Sequence, residues 1–217
     1  MSQGVCKVVV LISGSGSNLQ ALLDASAEAG ASFSVCTVIS NKPEAFGLIR
    51  AAEAGVPTSV VNHRNFSSRE SFDQALIAEI DQQQPDLVIL AGFMRILTPE
   101  FVRHYRGRLL NIHPSLLPKY QGLHTHQRAL EAGDSEHGVT VHFVTEELDG
   151  GPAIVQAIVP IKEGDTPESL AKRVQVQEHV IYPMAVTWFA QKRLKMLEDR
   201  TQLDGELLPS CGAQVSN

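Results

Sequence analysis

The chain has 217 residues, with 18 Lys+Arg, 24 Asp+Glu and a formal net charge of −6. Hydrophobic residues at 43% and charged residues at 19% describe a globular chain and exclude a disordered one. The acidic balance opposes a protein that coats nucleic acid, but it leaves open a small anionic substrate held by a pocket rich in N–H donors.

Lys7 to Ile12 is a short apolar run rich in β-branched residues, which predicts a first strand buried on both faces. No cleavage-type segment follows it, so no signal peptide is predicted. Ser13-Gly14-Ser15-Gly16-Ser17-Asn18 comes next. Leu19, Leu22 and Leu23 then share one face of a predicted helix, with Ser17 or Asn18 as its cap and Gly30 beyond its end. Val35 to Ile39 predicts a second strand, Ala45 to Ala54 a helix stopped by Gly55 and Pro57, and Thr58 to Val61 a short third strand.

Ser67 and Glu70 have the spacing of a capping box, and Phe72, Leu76 and Ile80 recur at helical intervals after it. Asp86 to Ala91 is the strongest strand signal. Leu109 to His113 is another, halted by Pro114. Thr125 to Glu131 predicts a helix. Val139 to Val144 and Ile154 to Ile161 predict strands joined by a connection short enough for an antiparallel pair. Thr166 suits the N-cap and Pro167 the first turn of a last long helix, predicted to reach about Leu197 and to kink or restart at Pro183. The polar stretch from Asp204 to Asn217 predicts a loosely held tail.

This order predicts an α/β fold: a Rossmann-like, doubly wound, mostly parallel sheet with an antiparallel C-terminal strand pair and a long C-terminal helix. One domain is expected over residues 1–217, with an N-terminal half to about residue 100 and a C-terminal half over about 101–200. Cys6, Cys36 and Cys211 are odd in number and have no metal or disulfide spacing, so buried thiols in a reducing compartment are expected. No uncharged apolar run approaches the ~20 residues a membrane span needs. A cytoplasmic location without membrane partner is therefore expected.

In open α/β sheets ligands bind beyond the carboxyl ends of the strands. Four segments qualify: Gly14 to Asn18, Gly92 to Leu97, Asn111 to Ser115, and Thr145 to Asp149. The first lies between a strand and a helix, where glycines let backbone approach a ligand and free N–H groups suit a phosphate. Its third glycine position is Leu19 and no Lys follows, so it fits neither a dinucleotide fingerprint nor a Walker loop. It is equally readable as a tight turn.

Asn111 and His113 are two apart on a strand and project together, an amide beside an imidazole, which suits stabilisation of an oxyanion. The pair could instead simply finish the strand. Asp149 could cap a turn at Gly150-Gly151. If it sits by an imidazole, its carboxylate favours the imidazolium and raises the ring's pKa. Gly92 to Leu97 offers apolar groups and one Arg, suited to a flat ligand or to core. His124 and His126 are two apart without a third ligand, so no metal site is predicted.

Ile12 to Gln20, Leu90 to Leu97, Leu110 to Pro118 and Glu147 to Pro152, in that order, closely resemble the folate-dependent formyltransferase family. The Asn-x-His-Pro-Ser-Leu-Leu-Pro segment is shared widely in that family. The Ser-Gly-x-Gly-Ser-Asn loop is similar to its purine-synthesis members. The resemblance implies transfer of the formyl group of 10-formyltetrahydrofolate, a co-substrate, to the amine of glycinamide ribonucleotide. It assigns Asn111, His113 and Asp149 to catalysis, with Asp149 keeping the His113 imidazolium populated. It assigns Gly16, Ser17 and Asn18 to the ribonucleotide phosphate, and Gln175 and Glu178 to the rest of that substrate. Arg69, Met94, Arg95, Ile96, Leu97, Asn111, Thr145, Glu146, Glu147, Leu148 and Asp149 would meet the folate. Partners are then the two small molecules, not nucleic acid or membrane, and the chain would be a monomer or homodimer.

Three rivals follow from the same residues. A formyltetrahydrofolate deformylase is expected to carry an additional N-terminal domain, and a methionyl-tRNA formyltransferase an additional C-terminal domain and a basic surface. A length of 217 residues and a charge of −6 oppose both. A non-catalytic ribonucleotide-binding protein would need the loop but not Asn111, His113 and Asp149 together.

Overall fold

The structure is a computed structural model that describes residues 4–216. Eight strands hydrogen-bond into one mostly parallel sheet, and three further strands form an antiparallel sheet of their own. Two compact units adjoin in sequence at Leu110 and Asn111.

The first unit is a doubly wound α/β layer. Strand β1 (Cys6–Ile12) is flanked on both sides, by β2 (Phe33–Ser40) and β4 (Leu87–Leu90), all parallel. Flanking and covering bury Val8 through Ile12 completely, which is why the run is continuously apolar instead of alternating. Strand β3 (Thr58–Val60) pairs parallel with β2 at the sheet edge. Helix α1 (Ser17–Ala27) buries Leu19, Leu22 and Leu23, the predicted face.

Its N-cap differs from the expectation: Gly16 fills it with φ 72 and no side-chain cap, so neither Ser17 nor Asn18 does. Helix α2 (Phe46–Glu53) follows β2, and α3 (Arg69–Asp81) precedes β4. The capping box of α3 also differs, because Ser68 pairs with Ser71 in place of Ser67 with Glu70. Phe72, Leu76 and Ile80 are all buried, as their helical spacing predicts. A turn at His63–Asn65 and helix α4 (Pro99–His104) complete this unit.

The second unit contains most of β5 (Leu109–His113), then α5 (Thr125–Glu131), β6 (Glu136–Phe143), β7 (Ala153–Pro160) and α6 (Pro167–Ala190). Strands β6 and β7 pair antiparallel from Glu136 opposite Pro160 to His142 opposite Ala153. Helix α6 opens on the Thr166–Ser169 capping box and runs through Pro183 without interruption. A proline removes one backbone bond, and the burial of Ile181, Tyr182, Ala185 and Val186 around it outweighs that loss.

The end of the chain corrects two expectations. Helix α6 stops at Ala190, not near Leu197, because Lys192 turns left-handed at φ 60 and the following residues alternate as a strand. Strand β8 (Leu194–Leu197) forms a hairpin with β9 (Arg200–Leu203), and β10 (Glu206–Leu207) adds to β9. Arg193 closes the hairpin base on Asp204 through two bonds of 2.7 Å. The expected loose tail is ordered as far as Ser216, Asn217 lying outside the described residues: β11 (Ala213–Ser216) pairs parallel with β7 at the edge of the large sheet. Gly212 permits this approach, since a Cβ there would lie 2.7 Å from the Ile154 backbone at a φ of 74°.

Candidate active site

In the first unit the strand order 3-2-1-4 places a topological switch between β1 and β4, where successive connections depart in opposite directions and leave a crevice. Both predicted loops leave these two strands. Buried Ser13 ties them together: its hydroxyl donates to Asn41 Oδ1 at 2.6 Å and accepts from the Met94 N–H at 2.8 Å. Gly16 is left-handed and Ser17 begins α1, so the loop ends at a helix N-terminus, where the helix dipole favours an anion.

In the loop after β4, Met94 and Ile96 are 62% and 57% exposed, while Phe93 is buried. Large apolar side chains left in water at a crevice suit a flat ligand. Asp73, 2% exposed on α3, anchors the far end of this loop by accepting the Thr98 N–H at 2.6 Å. Burial raises the Asp73 pKa, and the Thr98 bonds and the charges of Arg69 and Arg95 pull the other way. Arg69 and Arg95, both singled out from sequence, are thus grouped about one carboxylate.

In the second unit Asn111, His113 and Asp149 come together. Asn111 and His113 stand two apart on β5, and Asp149 is brought in by the connection between β6 and β7, with φ 50. Asp149 Oδ2 lies 3.4 Å from His113 Nδ1, and the side chains are only 9% and 8% exposed. The other ring nitrogen, Nε2, donates to the Tyr120 carbonyl at 2.9 Å. Both ring nitrogens therefore face oxygen acceptors, which a doubly protonated ring satisfies. The Gly122 N–H donates to the same Asp149 Oδ2 at 2.9 Å, and Gln121 Nε2 donates to the Asp149 carbonyl at 3.3 Å.

His142, on the neighbouring strand β6, sets the orientation of Asn111. Its Nδ1 donates to the Phe143 carbonyl at 2.9 Å, so Nε2 carries the lone pair and accepts from Asn111 Nδ2 at 3.1 Å. Burial holds the His142 pKa well below the usual histidine range, which keeps that lone pair available. One Asn111 amide hydrogen is thereby used. The second remains for a ligand oxygen.

The remaining predicted residues fall as follows. Glu146, Glu147 and Leu148 are exposed and Thr145 half-buried in the β6–β7 connection. Gln175 and Glu178 lie three apart on one side of α6. His124 caps α5 in a left-handed conformation, and His126 packs edge-on against His137 at 5.1 Å. Among the described residues no group of three or more His, Cys, Asp or Glu is placed to hold a metal ion. None of their helices is long and apolar enough to cross a membrane.

Sequence reasoning missed Ser13, Asp73, Tyr120, Gly122 and His142. His142 had a findable signal, since a histidine in an otherwise apolar strand needs a partner. Ser13 and Asp73 accept from the backbone N–H groups of Met94 and Thr98, and Tyr120 and Gly122 act through their own backbone; such groups carry no sequence signature.

The formyl transferase family model matches residues 6–186. The chain is 60% identical over 205 residues to phosphoribosylglycinamide formyltransferase of Escherichia coli (strain K12), across 94% of this chain and 97% of that protein. It is 48% identical over 206 residues to the Haemophilus influenzae protein of the same name, across 95% and 97%. A solved structure of phosphoribosylglycinamide formyltransferase from Coxiella burnetii superposes with a TM-score of 0.94 at 50% identity, covering 97% of this chain and 99% of that one.

Proposed function

The chain belongs to the formyl transferase family, and on that premise we propose that it transfers the formyl group of 10-formyltetrahydrofolate to the amine of glycinamide ribonucleotide in purine biosynthesis. The observation that carries the residue assignment is the buried Asp149–His113 pair at 3.4 Å, with Asn111 on the same strand.

The neutral substrate amine attacks the formyl carbon, and a nitrogen–carbon bond forms as the carbonyl oxygen becomes an oxyanion. Asn111 donates its second amide hydrogen to that oxygen. His113, protonated against Asp149, supplies a positive charge beside it. Direct donation from His113 Nε2 requires the Tyr120 carbonyl to release that hydrogen. Collapse breaks the bond from carbon to N10 of the folate, and the proton lost by the amine moves to N10 through His113 or water. Neither a metal ion nor a covalent enzyme intermediate enters this balance. Holding two substrates in line supplies much of the acceleration, since aligned reactants reach effective molarities of roughly 10⁵ M or more.

Gly16, Ser17 and Asn18 are assigned to the ribonucleotide phosphate, and Gln175 and Glu178 to its remainder. Arg69 and Met94 to Leu97 in the first unit, and Thr145 to Asp149 in the second, are assigned to the folate. The chain works in the cytoplasm as a monomer or homodimer, states that sizing chromatography separates. The deciding assay follows formylfolate absorbance with and without glycinamide ribonucleotide. Loss that depends on the ribonucleotide is expected. Loss without it would make the chain a deformylase, and no loss in either case a binding protein.

A further inference from the structure

Helix α2 backs the Gly14–Asn18 loop more closely than side chains would allow. A Cβ on Gly16 would lie 2.7 Å from Gly47 Cα, and one on Gly47 would lie 2.5 Å from Ile12 Cδ1. Across this contact the Gly47 N–H donates to the Gly14 carbonyl at 3.0 Å. The half-buried Arg50, one turn later on α2, donates from Nε to the Ser15 carbonyl at 2.9 Å. Its Nη1 donates to Gln20 Oε1 on α1 at 3.2 Å, and its guanidinium stacks over Phe46 at 5.0 Å.

In a trans peptide the C=O of one residue and the N–H of the next point opposite ways. Pinning the Gly14 and Ser15 carbonyls onto α2 therefore turns the Ser15 and Gly16 N–H groups away from α2, toward the open side of the loop. We propose that Arg50 is a positioning residue for the phosphate of the ribonucleotide, fixing the loop in its anion-receptive form through the Ser15 carbonyl without touching the phosphate. This rests on the reading of the loop as the phosphate site. No sequence motif marks it, because Arg50 lies 35 residues from Ser15.

The test uses inorganic phosphate as a competitor of the ribonucleotide in steady-state kinetics, with Arg50→Met and Arg50→Lys. Phosphate is expected to compete in the wild-type chain. Arg50→Met is expected to raise both the KM for ribonucleotide and the Ki for phosphate about tenfold, the scale of one charge-assisted hydrogen bond. The KM for formylfolate and kcat should stay within about twofold, because a loop held less firmly changes occupancy and not the chemical step. Arg50→Lys keeps the charge but has no planar Nε–H at that position, so it should shift both constants in the same direction.

If phosphate competes and the Arg50 variants leave both constants unchanged, the role of Arg50 fails while the phosphate reading stands. Full activity in Arg50→Lys also overturns it, since charge alone would then suffice. Equal changes in kcat or in the folate KM would mark a general structural loss and overturn it too. Absence of phosphate competition in the wild-type chain, with an unchanged ribonucleotide KM in Gly16→Ala, overturns both readings. Should Arg50→Met not fold, Arg50→Lys carries the same test.

Discussion

His113 has an acceptor at each ring nitrogen, Asp149 on one side and the Tyr120 carbonyl on the other, and Asn111 is oriented by a neutral His142. Each partner has a distinct consequence when removed. Asn111→Ala and His113→Ala are each expected to lower kcat by about 10²-fold or more, the scale of a lost oxyanion donor, in single-turnover measurements of formyl transfer. His142→Ala is expected to lower kcat by about tenfold at little cost in KM, because Asn111 survives but its amide is no longer held. The two-residue spacing of Asn111 and His113 was readable from the strand pattern. The contribution of His142 was not, because it arrives from the next strand and its function depends on which nitrogen carries the proton.

At the scale of elements, the loops are held by the helices behind them. Asp73 on α3 accepts the N–H of Thr98, the N-cap of α4, and so terminates the loop that begins at Gly92. Asp73→Ala leaves that buried N–H without its acceptor. It is expected to cost about 1–3 kcal/mol in urea unfolding and to raise the KM for formylfolate with the ribonucleotide KM unchanged. The predicted strands and helices of the first half follow from continuous apolar runs and helical spacing, and the structure reproduces them within a residue or two. The displaced capping box at Ser68 and the Gly16 N-cap show where spacing fails. Ser13 to Asn18 before α1, and Ser67 and Ser68 before α3, offer adjacent cap candidates that spacing alone does not separate.

For the whole molecule, burial of histidines couples stability to pH. Burial holds His137 at about 4, below the histidine reference of 6.5, and it lowers His142 as well. Above pH 6.5 these rings are neutral in both states. As the pH falls toward 4 the unfolded chain takes up protons that the folded chain refuses, so stability declines through that window. His137 alone is expected to cost about 2 kcal/mol between pH 7.5 and pH 5, seen as a lower urea midpoint at the lower pH. The C-terminal segment matters at the same scale. Removing residues 206–217 uncovers the edge of β7, and a lower melting temperature with increased aggregation is expected in thermal scans.

What the sequence determined by itself was the layered α/β fold, the family and its reaction, because apolar periodicity and four motifs in order survive without any knowledge of the third dimension. The motif residues sit on strands and turns whose local pattern already fixes their neighbours. Tertiary structure decided the rest: which acceptors His113 meets, how Ser13 joins two loops, how Arg50 backs one of them, and that the C-terminal segment is sheet and not loose tail. These depend on pairings between residues far apart in the chain. Several run through backbone N–H and C=O groups, which every residue carries and which no sequence pattern distinguishes.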